Sequence, residues 1–170
     1  MKARFGATSC YLTVAARSVR FHLPGDIFGL ENGNFHRFTA EAIVDTTVCL
    51  VKRQSLERVA KNDPAMVRSL LTMTTDNLQH VENHMLLLGR KNSQERVAAF
   101  LLEMNGRLTA PDVMALPMTR RDIADYLGLT LETVSRALSE FQRNGYLRFL
   151  DPTQRHIVVL NAGGLAELDR

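Results

Sequence analysis

A single glycine between two helical patterns constrains this chain more than any other feature. Residues 120–127 read as a short helix, Gly128-Leu129 as a tight turn, and Thr130 as the N-cap of a second helix that runs to Asn144, with Gly145 just past its end. Gly128 supplies the positive φ that a sharp reversal between helices requires. Ile123, Leu127, Leu129 and Val134 fall where two such helices must face each other, and Ala124 is small where they cross. Two helices joined in this way form a helix-turn-helix.

The second helix has two distinct sides. Val134, Leu138 and Phe141 repeat at i, i+4 and i+7 and form an apolar face, so Glu132, Ser135, Arg136 and Ser139 lie together on the opposite one. These types suit base edges: arginine donates twice to guanine O6 and N7, glutamate accepts from cytosine N4, and serine adapts to either role. An exposed Glu132–Arg136 ion pair would instead contribute only a few tenths of a kcal/mol, roughly, to the helix. The surrounding motif favours a recognition helix, and the candidate DNA-contacting set is Arg120, Thr130, Leu131, Glu132, Thr133, Ser135 and Arg136.

Past Gly145, residues 146–150 and 156–160 read as two strands around the turn Asp151-Pro-Thr-Gln-Arg155, which makes the domain a winged helix. Arg148 and Arg155 are the wing's candidates for phosphate contact, although exposed arginines are usually only solvated. Upstream, Asn92-x-x-Glu95 is a capping box for a helix bearing Val97, Phe100, Leu101, Met104 and Leu108, followed by a polar connector, Thr109-Ala-Pro-Asp112.

Before that comes a long helix. Asp63-Pro64 is an N-cap with proline at the first helical position, and Gly89-Arg90-Lys91 marks the end. Between them Val67, Leu71, Thr74, Leu78, Val81, Met85 and Leu88 recur in alternating steps of four and three, the spacing of a coiled-coil seam with only Thr74 polar. A helix packed on its own domain would also carry an apolar stripe, but this one is narrow and long, which points to a two-fold partner. Residues 1 to about 50 are strand-like, at Cys10–Val14, Ser18–His22 and Ala42–Val51, with Pro24-Gly25, Gly29 and Asn32-Gly33-Asn34 as breaks. So short a set of strands buries little area and reads as a piece of a larger sheet.

From Met118 to Leu138, Met-Thr-Arg-Arg-Asp-Ile-Ala-Asp-Tyr-Leu-Gly-Leu-Thr-Leu-Glu-Thr-Val-Ser-Arg-Ala-Leu closely resembles the helix-turn-helix of Crp-Fnr transcription regulators, particularly the FixK and Fnr branches. His22-Leu-Pro-Gly-Asp-Ile-Phe-Gly-Leu-Glu31 is similar to that family's β-roll turn, and Met85-Leu-Leu-Leu-Gly-Arg-Lys91 to the end of its dimerisation helix, so the likeness covers about residues 20 to 160. The resemblance implies an α+β chain: a partial antiparallel β-roll of the cyclic-nucleotide-binding kind over 1–62, a dimerisation helix over 63–91, and a winged helix-turn-helix over 92–170. It further implies a homodimer on two-fold symmetric DNA with TTGAT- or TTGAC-like half-sites, generally activating transcription by touching RNA polymerase. The family's Glu-x-x-Ser-Arg reading set falls on Glu132, Ser135 and Arg136.

The chain departs from the family in three places. Members that bind cyclic AMP carry an Arg-Ser pair where this chain has Phe35-His-Arg-Phe-Thr-Ala40, so cyclic nucleotide binding is not expected. The oxygen-sensing branch holds an iron-sulfur cluster on a cysteine group, and two cysteines, Cys10 and Cys49, build neither that nor a four-thiolate zinc site. Members also carry further strands ahead of the position matching Phe21, so the first half of the β-roll is expected to be missing.

The remaining features are weaker. His80 and His84 sit one turn apart and offer two nitrogens, with no carboxylate or thiolate spaced to complete a metal site. Glu82 flanks the seam as a rim charge. Met73, Met85 and Met104 fit core positions, and Cys10 and Cys49, each placed in a strand, read as small buried hydrophobes. No nucleophile-base pair, phosphate-binding glycine loop or metal signature occurs, so neither an enzyme nor a cofactor is expected. No apolar run approaches the ~20 residues of a membrane span, and a cytoplasmic location follows by default. The alternatives to a DNA-binding regulator are an interaction protein that pairs its seam helix with a longer homologue and blocks or modifies it, and a ligand-responsive sensor whose ligand the sequence does not reveal. The formal charge of +3 does not decide the matter: residues 1–91 hold 12 Lys/Arg against 8 Asp/Glu, whereas residues 92–170 hold 9 against 10.

Overall fold

The computed structural model describes residues 12–15, 20–30, 39–110 and 113–169. By their contacts, residues 48–90 form one compact unit, and the described residues of 12–47 and 91–169 form a second.

The first unit is a pair of helices, α1 (Arg53–Asn62) and α2 (Pro64–Arg90). Asp63 separates them: its carboxylate accepts from the Ala65 N–H at 2.9 Å while Pro64 takes the first helical position, where a missing N–H costs nothing. No residue of α2 is fully buried. Met66, Leu70, Asn77, His80, His84 and Leu87 are half-buried along one side, and the seam stripe runs beside it in the open.

The second unit contains both sheets and the remaining helices. In the first sheet β1 (Leu12–Ala15) lies between β2 (Phe21–His22) and β3 (Thr39–Ala42), with Leu12 opposite both His22 and Ala42. The expected strand Ala42–Val51 is a correction. β3 ends at Ala42, and residues 43–51 are bend and irregular chain, with Val48, Leu50 and Val51 54%, 94% and 59% exposed. β-branched residues favour strands only where a neighbour completes the ladder, and among the described residues nothing pairs with 43–51. Cys49 is therefore exposed and outside any strand, contrary to the sequence expectation, and Cys10 lies outside the described residues, as do Asn32-Gly33-Asn34 and most of Phe35–Ala40.

β2 carries Phe21 into the C-terminal helices. Its ring meets Tyr126 at 5.1 Å and Phe100 at 6.2 Å, and all three are buried. The turn Leu23–Asp26 is closed by the Asp26 N–H to the Leu23 carbonyl and the Leu23 N–H to the Asp26 carboxylate. That carboxylate also takes Arg107 at 2.7 Å.

α3 (Ser93–Leu108) is the core helix, burying Val97, Ala98, Phe100, Leu101 and Met104. It starts at the expected capping box: Asn92 Oδ1 accepts from the Gln94 and Glu95 N–H groups, and Glu95 accepts from the Asn92 N–H at 2.9 Å. Met104 is core, but Met73 and Met85 are 37% and 68% exposed, so those two assignments fail; Met85 belongs to the open seam stripe, and Met73 is exposed beside it.

The expected connector 109–112 is corrected: its first two residues are a strand, β4 (Thr109–Ala110), which pairs with β5 (Val113–Ala115), where Met114 is fully buried. Together with β6 (Leu147–Phe149) and β7 (His156–Val159) they form a four-stranded sheet in the order β4-β5-β7-β6. A helix absent from the sequence reading, α6 (Ala162–Leu168), packs on α3 through Leu165. Its Gly163-Gly164 looks unhelical, but a Cβ on Gly164 would come within 2.8 Å of the Tyr146 ring, so the close approach needs glycine.

Candidate nucleic-acid interface

α4 (Arg120–Leu127) and α5 (Leu131–Arg143) are the expected helix pair. Thr119 caps α4 in a full capping box with Asp122, a Thr-x-x-Asp signal the sequence reading passed over. Gly128 sits at φ 62°, ψ 37°, and the bonds Gly128 N–H to Asp125 O and Leu129 N–H to Ala124 O close a Schellman turn. Arg96 of α3 caps the same helix end, donating to the Leu127 carbonyl at 3.1 Å. Thr130 caps α5, accepting from the Thr133 N–H at 3.2 Å. Ile123, Ala124, Leu127, Val134, Ala137, Leu138 and Phe141 are buried, which locks the two helices to each other and to α3. At about 1.5–3 kcal/mol for each large apolar side chain, this burial sets the orientation of α5 far more firmly than its caps do.

What remains outward on α5 is polar apart from Leu131. Leu131, Glu132, Arg136 and Ser139 are exposed and Thr133 and Ser135 half-buried, while Ser135, Arg136, Ser139, Glu140 and Arg143 line a shallow open groove along the helix. The structure thus brings Leu131, Glu132 and Arg136 onto the open side of α5, with Thr133 and Ser135 half-buried on the same helix and Thr130 exposed at its N-cap. Arg143, which the sequence reading omitted, extends that side at i+7 from Arg136.

Two of these groups are not free rods in solvent. The Glu132 carboxyl is held below the usual carboxylate range, chiefly by its own backbone N–H at the helix start, then by the Thr130 hydroxyl, with Arg136 and Arg121 adding attraction. It is an anion folded back on the helix N-terminus. Arg120 is half-buried, donates from Nη1 to Ser135 Oγ at 3.1 Å and lies over the Phe149 ring of the wing; burial lowers its affinity for the proton without discharging it.

In the wing, Arg148 and Arg155 are both exposed. The turn between β6 and β7 is built on Asp151, whose carboxylate accepts from the Thr153 hydroxyl, the His156 N–H at 3.0 Å and His156 Nδ1 at 2.7 Å. These bonds hold its carboxyl far below the usual range, the Thr153 hydroxyl contributing most.

On α2 the seam residues Val67, Leu71, Leu78, Val81, Met85 and Leu88 are 37–68% exposed. Thr74, the polar member, donates its hydroxyl to the Leu70 carbonyl at 2.8 Å and so asks nothing of a partner. The His80 and His84 rings stack in parallel with centres 6.5 Å apart. Among the described residues no three His, Cys, Asp or Glu side chains cluster as a metal site, and no helix is long and apolar enough to cross a membrane.

Residues 95–168 match the Crp-like helix-turn-helix domain. The chain is 42% identical over 154 residues to the nitrogen fixation regulation protein FixK of Azorhizobium caulinodans, covering 88% of this chain and 61% of that one. It is 34% identical over 154 residues to the transcriptional activator protein FnrA of Stutzerimonas stutzeri, covering 87% and 62%. Among solved structures it superposes on FixK2 from Bradyrhizobium japonicum with a TM-score of 0.85 and 55% identity, covering 95% of this chain and 82% of that one. The chain spans about three fifths of the length of the curated relatives it matches. With the capped helix pair, the wing and these likenesses in agreement, the chain belongs to the Crp-Fnr family of helix-turn-helix transcription regulators, on its FixK/Fnr-like branch.

Proposed function

We propose that this chain regulates transcription by binding, as a homodimer, a palindromic TTGAT/TTGAC-type DNA site through α5, acting as an activator in contact with RNA polymerase in the cytoplasm. The observation that carries this reading is the division of α5: Val134, Leu138 and Phe141 are buried, while Glu132 and Arg136 stand exposed one turn apart with Ser135 beside them. A helix held by one face and offering base-reading side chains on the other is what entry into the major groove requires. The activator role is supported by the regulatory names of the relatives. The domain assignment is a partial β-roll over 1–62, a dimerisation helix over 63–91 and the DNA-binding domain over 92–170.

The seam supports the dimer. Six apolar residues at heptad spacing remain open to solvent on α2, and covering such a stripe needs a second helix of the same pattern. A dimer of this kind would present its two recognition helices about one helical turn of DNA apart, ~34 Å.

The test is a gel shift with the purified chain on a TTGAT-NNNN-ATCAA duplex against a scrambled duplex of equal length. A specific complex of two chains per duplex is expected. Equal binding to both duplexes would reject the function, and binding that arises only when a longer homologue is added would replace it with heterodimeric modulation.

A further inference from the structure

Arg120 of α4 donates to Ser135 Oγ in α5 at 3.1 Å and lies over the Phe149 ring at the end of β6, which places the hairpin tip, residues 150–156, beside α5. A duplex seated on α5 runs its backbone past that tip.

The tip is organised by one carboxylate. Asp151 accepts from the Thr153 hydroxyl, from the His156 N–H at 3.0 Å and from His156 Nδ1 at 2.7 Å. Three donors on one carboxyl group keep it anionic, and an anionic carboxylate only accepts. The Nδ1 of His156 must then carry a proton. In the neutral ring the other nitrogen, Nε2, is left with a lone pair and no hydrogen; a second proton makes it an N–H donor and gives the ring a positive charge. The imidazole stands 54% exposed. Its cationic neighbours are Arg155, which precedes it in the chain, and Arg148, which pairs with Val158 and so shares a face of the hairpin with His156; both are exposed. β5 pairs Ala115 with His156 and carries no ionisable side chain.

We propose that His156 takes a DNA backbone phosphate only as an imidazolium, with Asp151 fixing Nδ1 as the nitrogen already protonated, so that the wing tightens its hold on DNA as pH falls through the range in which histidine gains its charge. The proposal rests on α5 being the recognition helix. A phosphate oxygen accepts and does not donate: against the neutral Nε2 it sets lone pair against lone pair, whereas the imidazolium gives it a charge-assisted hydrogen bond. Where the free ring is neutral, the complex holds one more proton per half-site than the free chain, and mass action then favours binding on the acid side. The contact carries no base preference, because the phosphate is common to all sequences.

The full-length chain is titrated onto the TTGAT-NNNN-ATCAA duplex by fluorescence anisotropy at about pH 8 and about pH 6, over a salt series, as wild type, His156→Ala, His156→Gln and Asp151→Asn. From the higher to the lower pH wild type should gain about tenfold in affinity over His156→Ala, the size of two exposed ion pairs for the two half-sites, and its salt slope should steepen by about two. His156→Gln, whose amide donates at every pH, should bind without that gain. Asp151→Asn offers Nδ1 an amide donor, which moves the proton of the neutral ring to Nε2, so its advantage over wild type should be larger at the higher pH. An equal advantage at both marks simple removal of a negative charge and overturns the proposal. Nitrogen NMR of the free, histidine-labelled chain should find the neutral His156 ring protonated at Nδ1; a proton on Nε2 overturns the proposal whether or not Asp151→Asn folds. The same pH dependence in wild type and His156→Ala overturns it too. Specific and scrambled duplexes bound alike at both pH values overturn the recognition-helix reading itself, and this proposal with it.

Discussion

Replacing Leu78 and Val81 together with glutamate should dissociate the proposed dimer without unfolding the chain. The two side chains leave 58% and 44% of their surface in solvent on α2, together about the area of one whole apolar side chain per protomer. Complete burial of such a side chain is worth about 1.5–3 kcal/mol. Losing it from both protomers weakens association by about 3–6 kcal/mol, which at 1.4 kcal/mol per tenfold raises Kd by about 10²–10⁴. Carboxylates facing each other across a two-fold axis add repulsion in the same direction. The monomer should be unaffected, because the replaced surface is already wet and glutamate is a good helix former. Sedimentation velocity over a concentration series reads the Kd, and far-UV circular dichroism checks the helix. Gln79→Glu, which places a new carboxylate off the seam, should leave Kd unchanged. If the double variant sediments as a dimer at the same concentrations as wild type, the stripe is not the interface and the heptad argument fails.

Arg136→Ala should weaken binding to the specific duplex by about 1–3 kcal/mol and relax the preference at guanine, with binding to random DNA nearly intact; equal loss on both in fluorescence anisotropy titrations would remove Arg136 from base reading. Gly128→Ala should destabilise the chain by about 1 kcal/mol in urea unfolding, since φ 62° is the left-handed region, and Gly128→Asn by less; equal costs would mean that backbone conformation is not the cause. The wing turn should loosen in acid. The Asp151 carboxyl is depressed in the fold, so its stabilisation is fully present above the ordinary carboxylate pKa of about 3.9 and is lost as pH falls through the lower folded value. An NMR titration following the Asp151 carboxyl carbon and the His156 amide should show both changing together well below pH 3.9, and an ordinary Asp151 titration would refute the bonding described for the turn.

Where the sequence reading succeeded, the signal was local. Asp63-Pro64, Asn92 with Glu95, Thr130 and Gly128 each act on backbone groups within four residues, so spacing along the chain already contains their geometry. The 3.6-residue repeat likewise assigned the buried and open sides of α5, and the structure bears it out with Val134, Leu138 and Phe141 buried. Where the reading failed, the missing term was a partner elsewhere. The β-branched run after Ala42 forms no strand because nothing among the described residues pairs with it, and Met73 and Met85 are not core because both side chains stand exposed on α2. Met114, in a segment adjoining what read as a connector, is buried because β7 lies beside it, and glycine stands at 164 inside a helix because Tyr146 leaves room for nothing larger.

By itself, then, the sequence determined the helix-turn-helix, its caps, the wing and the seam stripe, because turns, caps and amphipathic periods depend on neighbours a few residues away. Only the tertiary structure decided that Phe21 packs against Phe100 and Tyr126, that Asp26 meets Arg107 across 81 residues, and that Arg120 is turned onto Ser135 rather than left in solvent. Those contacts join residues far apart in the chain, and which of them form is set by how the helices and sheets pack, a property that no local spacing encodes.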